Sequence, residues 1–229
     1  MWPSFAASWA SELTTEFRTV DAPEGGGVDV ELEIKRSRFL TRIRRVTSEE
    51  NARAVIEERR SRYFDARHHC SAFVLGPDGR TARSSDDGEP AGTAGIPMLT
   101  VLQRNELTDV VAVVTRYFGG IKLGAGGLVR AYSDAVAAAV AAVGVRRVTL
   151  CRVFSVRVGF AEVGVVEDQL RGLVLPSGAP VVVDGVDWSD AAYIRLAVPD
   201  PDVDDLHTAL ATLSAGSLRA EPVGTRWVG

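Results

Sequence analysis

Apolar and acidic residues alternate strictly over residues 28–34, with Val28, Val30, Leu32 and Ile34 on one side of the pattern. That period of two belongs to a strand with one buried face. Residues 39–46 read as its antiparallel neighbour. The period then lengthens: Ala52, Val55, Ile56 and Tyr63 fall at helical spacing behind a Thr47/Glu50 capping box. Arg59, Arg60 and Arg62 close that helix, where its dipole favours cations. Residues 70–75 predict a strand, Pro77-Asp78-Gly79 a turn, and residues 81–84 the returning strand of a hairpin. After a polar loop over 85–92, Thr93 opens a predicted helix that reaches Gln103. Residues 110–115 form an unbroken apolar run, the mark of a strand buried on both faces. Residues 128–143 predict a long helix whose alanines suit close packing on a sheet, and 145–150 a further strand.

A second unit follows in the order strand, helix, strand, strand, helix, strand. Its strands are 152–160, 180–186, 191–198 and 218–228. One helix is marked by Val163, Val166, Leu170 and Leu173. The other starts at Asp200-Pro201 and carries Val203, Leu206, Leu210 and Leu213. That order is the split βαβ, ferredoxin-like plan. The expected organisation is a flexible or unassigned tail over 1–27, a first domain over 28–150 and a ferredoxin-like domain over 151–229. Trp2, Phe5 and Trp9 lie in the tail, which ends in Ala22-Pro23-Glu24-Gly25-Gly26-Gly27.

Charge changes this picture locally. The 229 residues carry a net charge of −4, so no global basic field points to a nucleic-acid partner. Residues 35–67, however, hold eleven basic and five acidic residues, and the remainder is strongly acidic. This stretch is either a phosphate-contacting patch or a solvated surface whose arginines pair with acids such as Glu57 and Glu58. From Cys151 onward six basic residues face eleven acidic ones, a poor composition for holding a phosphate backbone. Two cysteines, Cys70 and Cys151, give no disulfide framework. The longest apolar run, residues 135–145, is about half the ~20 residues a membrane span needs. The first basic residue, Arg18, follows Glu12 and Glu16, unlike a secretory leader. The expectation is a cytoplasmic protein with no membrane contact.

Two loops carry candidate chemistry. In the first, residues 84–97, the carboxylates Asp86, Asp87 and Glu89 are the candidates for a hard cation such as Mg²⁺ or for acid–base work. The calcium-loop pattern is absent, and the alternative is a polar turn that supports the next helix. The second, residues 116–130, joins a buried strand to a buried helix. It gathers Gly119, Gly120, Gly124, Gly126 and Gly127 with Arg116, Lys122 and Arg130. Glycines allow backbone N–H groups to approach an anion at a helix N-terminus, although the spacing is neither a P-loop nor G-x-G-x-x-G. The alternative is simply tight helix–strand packing. His68-His69-Cys70 cannot converge on a metal, because neighbouring strand residues point to opposite faces. His68 remains a weak acid–base candidate.

Three ordered segments resemble the Impact/YigZ family: Asp65-Ala66-Arg67-His68-His69-Cys70-Ser71-Ala72-Phe73, Ser85-Asp86-Asp87-Gly88-Glu89-Pro90-Ala91-Gly92-Thr93-Ala94-Gly95 and Arg116-Tyr117-Phe118-Gly119-Gly120-Ile121-Lys122-Leu123-Gly124. The likeness covers about residues 30–145, with the part after Cys151 similar to the family's smaller C-terminal domain. His69 stands where an Asn is usual, and Ala91 replaces a small hydroxyl residue, which removes a phosphate or water contact. The resemblance implies an α+β chain, with a ribosomal protein S5 domain 2-like first domain and a ferredoxin-like second. It also implies a role in translation, since eukaryotic members compete for an activator of a translation-factor kinase and bacterial members are linked to ribosomes. No reaction is attached to the family.

The leading expectation is therefore a translation-associated regulator that contacts RNA or the ribosome through Arg116, Lys122, Arg130 and the glycine turn. A translation-related protein is a further candidate partner. One alternative is an enzyme on a small phosphorylated or nucleotide substrate, using His68, Asp86, Asp87 and Glu89 with Mg²⁺ as the one candidate cofactor. Another is a protein-binding regulatory module.

Overall fold

The computed structural model describes residues 14–229, and the tail aromatics Trp2, Phe5 and Trp9 lie outside the described residues. The chain divides into two units, the first running to Arg147 and the second from Val148 to Gly229.

Unit 1 holds β1 (Glu16–Val20), β2 (Gly27–Ile34), β3 (Ser37–Arg45), α1 (Glu49–Arg62), β4 (His68–Leu75), β5 (Thr81–Ser85), α2 (Gly95–Arg104), β6 (Val110–Tyr117) and α3 (Ala125–Val143), and the first residues of β7 (Val145–Val158). Its main sheet is antiparallel throughout, in the order β2-β3-β6-β4-β5. β6 lies at the centre, and its apolar run divides between two cores by the strand period. Val111 and Val113 meet α1 through Ala52, Val55, Phe73 and Leu75. Ala112 and Val114 face the other way, among Phe39, Cys70, Met98, Leu102, Leu128, Tyr132 and Val136. α3 is long and apolar enough to cross a membrane by length and composition, yet Leu128, Ala131, Tyr132, Ala135, Val136 and Ala139 are buried in this core.

The basic stretch 35–67 owes much of its arginine content to strand register. β2 turns Asp29, Glu31 and Glu33 to one face, and β3 lays arginines beside them. Arg42 bonds its direct partner Asp29 at 2.9 Å, and Arg38 reaches diagonally to Glu31 at 2.6 and 3.1 Å. Arg44 bonds Glu58 of α1 at 2.9 Å. Arg59, only 1% exposed, donates to the second oxygen of Asp29 at 2.7 Å and lies 4.5 Å from the centre of the Tyr63 ring. The pairing with acids expected for this stretch is seen, with Glu57 and Glu58 among the partners. Arg38, Arg42, Arg44, Arg53, Arg59 and Arg60 are paired with acids.

Two local expectations change. The cap of α1 is Ser48, whose Oγ accepts the Asn51 N–H at 3.1 Å. The Thr47 hydroxyl instead donates to Glu24 at 2.5 Å. Within the expected tail, β1 is ordered by backbone bonds on either side of it. Thr108 N donates to Arg18 O at 2.9 Å, and Asp21 N donates to Gly144 O at 3.1 Å, with Val20 fully buried between them.

Unit 2 contains the rest of β7, α4 (Val163–Arg171), β8 (Val182–Trp188), β9 (Ala192–Pro199), α5 (Val203–Ser214) and β10 (Ala220–Val228). The strand order β10-β7-β9-β8, all antiparallel, is that of a split βαβ unit. The expected strands 145–150 and 152–160 are one continuous strand, since nothing around Cys151 forms a turn. Phe154, Val156, Ile194 and Leu196 pack with Leu170, Leu206 and Leu210. The two units together make the α+β architecture.

Arg59→Ala removes a buried stem and one partner of Asp29, and should lower stability by about 2–4 kcal/mol in urea unfolding. Arg59→Met keeps most of the volume, and Asp29 keeps Arg42, so its loss should be at most about half as large.

Candidate anion-binding cleft

The acidic loop is held by its own backbone. Asp86 spends both carboxylate oxygens on the start of α2, which has no side-chain cap of its own. Gly92 N bonds Oδ2 at 2.8 Å, and Ala94 N and Gly95 N bond Oδ1 at 2.9 and 2.8 Å. Burial raises the Asp86 pKa, but the N–H groups of Gly92, Gly95 and Ala94 outweigh it and hold the carboxyl below the usual range. Asp87 adopts φ +42° and ties three elements together. It accepts Arg60 at 2.8 Å and the His69 N–H at 2.6 Å, while its carbonyl accepts His68 Nδ1 at 2.9 Å. A carbonyl only accepts, so Nδ1 carries the proton and neutral His68 keeps its lone pair on Nε2. His69, at the family's Asn position, is buried with its Nδ1 3.1 Å from the Thr115 hydroxyl, and burial pulls its pKa down.

Glu89 goes inward. It is 8% exposed and accepts both Arg116 Nη1 at 2.6 Å and the Tyr132 hydroxyl at 2.9 Å on the same oxygen. Arg116, 7% exposed, lies 5.5 Å from the Phe39 ring centre and 5.7 Å from that of Phe118, and its Nε has no partner among the described residues. Cys70 Sγ is 3.3 Å from the Tyr132 hydroxyl and 3.0 Å from the Asp86 carbonyl; burial pushes the thiol up to about 12, so it is no nucleophile at neutral pH. Sequence reasoning missed Tyr132. Its signal was an aromatic hydroxyl in a helix otherwise rich in alanine and valine.

Asp86, Asp87 and Glu89, the candidates for a shared hard cation, point to different partners in this structure. Each carboxylate is engaged by different donors, and the described residues contain no metal-competent cluster of His, Cys, Asp and Glu.

The glycine turn does join the acidic loop at one place. A cleft of about 580 Å³ is lined by Asp65, Arg67, His68, Glu89, Pro90, Arg116, Tyr117, Phe118, Lys122, Leu123 and the start of α3 at Gly124 and Ala125. Of its two carboxylates, Glu89 is neutralised by Arg116, and Asp65 accepts the Tyr117 hydroxyl at 2.6 Å. That bond is the main reason the Tyr117 phenol is raised to about 12. Gly119 is needed for packing, because a Cβ would fall 2.0 Å from the Arg36 backbone. This contact sets the Lys35-Arg36 turn of the β2–β3 hairpin beside the glycine loop. Gly124 has φ +71° and ψ 166°, a glycine conformation, and precedes a helix with neither a capping side chain nor an acid in its first turn. Gly120 also has positive φ, and Gly127 packs a position 3.1 Å from Leu123 Cβ. Arg130 is exposed one turn into α3 and is not among the cleft residues.

Lys35, Arg36, Arg67 and Lys122 make no ion pair with any described carboxylate. All four lie where β2 ends and β3 and β4 begin, or on the loop leaving β6, which is one end of an antiparallel sheet. In unit 2, Arg152, Arg157, Arg171, Arg195 and Arg226 are paired with acids, and Arg219 alone among its described arginines makes no ion pair. The free cations therefore concentrate in unit 1.

The Impact N-terminal domain matches residues 35–140. The chain is similar to the IMPACT family member YvyE of Bacillus subtilis (strain 168), 44% identical over 141 residues that span 62% of this chain and 65% of that one. It is also similar to the IMPACT family member YigZ of Escherichia coli (strain K12), 38% identical over 197 residues, 84% of this chain and 92% of the relative. A solved structure described as that of a hypothetical protein is 35% identical with a TM-score of 0.58, covering 92% of this chain and 98% of the other.

The Asp86 cap carries a pH signature. Its folded-state pKa is depressed, so its stabilisation is full above about pH 4 and lost as pH falls further, through the folded value. Asp86→Asn should cost about 1.5–3 kcal/mol in urea unfolding at pH 7, and the gap to the parent should narrow steadily below pH 4.

Proposed function

Since the chain belongs to the IMPACT family, we propose that it is a cytoplasmic, translation-associated regulatory protein whose first unit contacts RNA, free or within the ribosome. The observation that carries this reading is a group of four cations without an ion pair around one end of a sheet. Lys35, Arg36, Arg67 and Lys122 are free at one end of the unit 1 sheet, while Asp86, Asp87 and Glu89 nearby are held by protein donors. Such an end attracts a phosphate chain despite the acidic whole, because at physiological salt fields are screened within about 8 Å and the local surface decides. The expected Arg116 contribution is indirect, because its charge is balanced by Glu89 and its role is to shape the cleft floor. Contacts of this kind are sequence-independent and salt-sensitive.

One observation favours a second reading, an enzyme on a small phosphorylated substrate: His68 is oriented by Asp87 with a basic nitrogen available in a cleft that also holds Lys122. It requires that His68→Gln abolish turnover of a phosphate ester while RNA affinity stays unchanged.

The test is anisotropy of a short single-stranded RNA across a salt series. Arg67→Ala combined with Lys122→Ala should weaken binding about tenfold near 50 mM salt and reduce the slope of log K against log salt by about 1.4, or 0.7 per cation removed. An unchanged slope would count decisively against the proposal.

A further inference from the structure

Two phenylalanines of unit 1 are left largely in water, and both lie among its unpaired cations. Phe17, Phe39, Phe73 and Tyr132 are buried, whereas Phe64 is 86% exposed and Phe118 58%. Phe64 lies in the connection between α1 and β4, just before Arg67, and Phe118 on the loop leaving β6, just before Lys122. Resting on the RNA-contact reading, we propose that this end of unit 1 takes single-stranded RNA, with bases stacked on Phe64 and Phe118 and phosphates against Arg67 and Lys122.

The two loops form one surface. The Tyr117 hydroxyl donates to Asp65 at 2.6 Å, so the residue after Phe64 is bonded to the residue before Phe118. That bond also occupies the one acid of this junction. Arg67, Phe118 and Lys122 line the same cleft. The Arg116 guanidinium lies 5.7 Å from the Phe118 ring centre and is itself held by Glu89 at 2.6 Å, so the ring has a fixed neighbour inside and solvent outside. Ile121, 42% exposed, extends the apolar surface on the same loop. Burial is what makes an aromatic ring stabilising, and these rings gain little of it. Exposed apolar groups rimmed by charge mark an interaction surface.

The combination selects an unpaired strand. Every base offers a face for stacking and every linkage a negative charge, and single-strand sites join aromatic rings with cations for that reason. A duplex presents its phosphates with the bases already stacked on one another, and a base-free polyanion uses the cations alone. Only a single strand engages both sets of side chains.

The experiment titrates the full chain, near physiological salt, with a short RNA strand and with the duplex it forms with its complement; inorganic polyphosphate is the competitor. The strand should bind about tenfold or more tightly than the duplex. Phe64→Ala and Phe118→Ala should each weaken the strand about fivefold or more and leave duplex affinity unchanged. Both should also keep the parent's slope of log K against log salt, because a stacked base releases no counterions. Loss of Arg67 and Lys122 lowers that slope, so stacking and charge separate in one data set. Phe118→Trp keeps a stacking face and should bind at least as well as the parent, whereas Phe118→Leu keeps only apolar bulk and should fail as alanine does. Equal affinity for strand and duplex overturns the proposal and leaves the RNA-contact reading standing. Parent-like binding by either alanine variant does the same, as does polyphosphate that competes as well as unlabelled strand. Binding of neither RNA by the parent removes both readings.

Discussion

The Glu89–Arg116 ion pair under the cleft is the constraint on which the remaining site geometry depends. Neither charge is free to reach bulk water, and a buried pair repays its desolvation only when its other hydrogen-bonding groups are served. Here much of that service comes from two elements. Tyr132 of α3 donates to the Glu89 oxygen that Arg116 also uses, Phe39 of β3 lies against the guanidinium, and Tyr132 and Phe39 meet edge to face at 5.3 Å. The pair therefore draws the acidic loop onto the central strand and the first long helix at once. Without that docking, the glycine turn and residues 86–92 would be two separate surface loops.

Asp86 works on the same loop from the other side. Its three backbone bonds start α2, whose N-cap residue Ala94 has no side chain to cap it, and its own carbonyl lies beside Cys70. A run of three acids in four residues thus divides its labour by direction. One carboxylate begins a helix, one clamps β4 to α1 through His69 N and Arg60, and one neutralises a buried arginine. Each of these carboxylates takes part in building the turn that carries it.

Periodicity made much of this fold legible, and distance along the chain hid the rest. The unbroken run of β6 correctly implied a strand covered on both faces, and the alternating order after Cys151 implied the split βαβ sheet. These are local patterns that any register would preserve. The pairing of Arg38, Arg42 and Arg59 with Glu31 and Asp29 required the register of β2 against β3 and the packing of α1, which no count of charges contains. β1 was missed because its partners lie around residues 106–109 and 144, far along the chain. At the site, the two loops were legible as candidates, and Glu89, Lys122, Arg116 and His68 do share one cleft. The roles were not, because a carboxylate's chemistry is set by which donors reach it.

The glycines sharpen that distinction between composition and role. Five of them in nine residues suggested a cradle for an anion, yet they differ in what holds them there. Gly119 admits a neighbouring backbone, Gly120 and Gly124 supply positive φ, Gly127 spares a contact with Leu123, and Gly126 has no structural duty. Gly164 in α4 is equally free of packing and φ demands, so a count of glycines separates the turn-formers from the rest only once each position's backbone and neighbours are known.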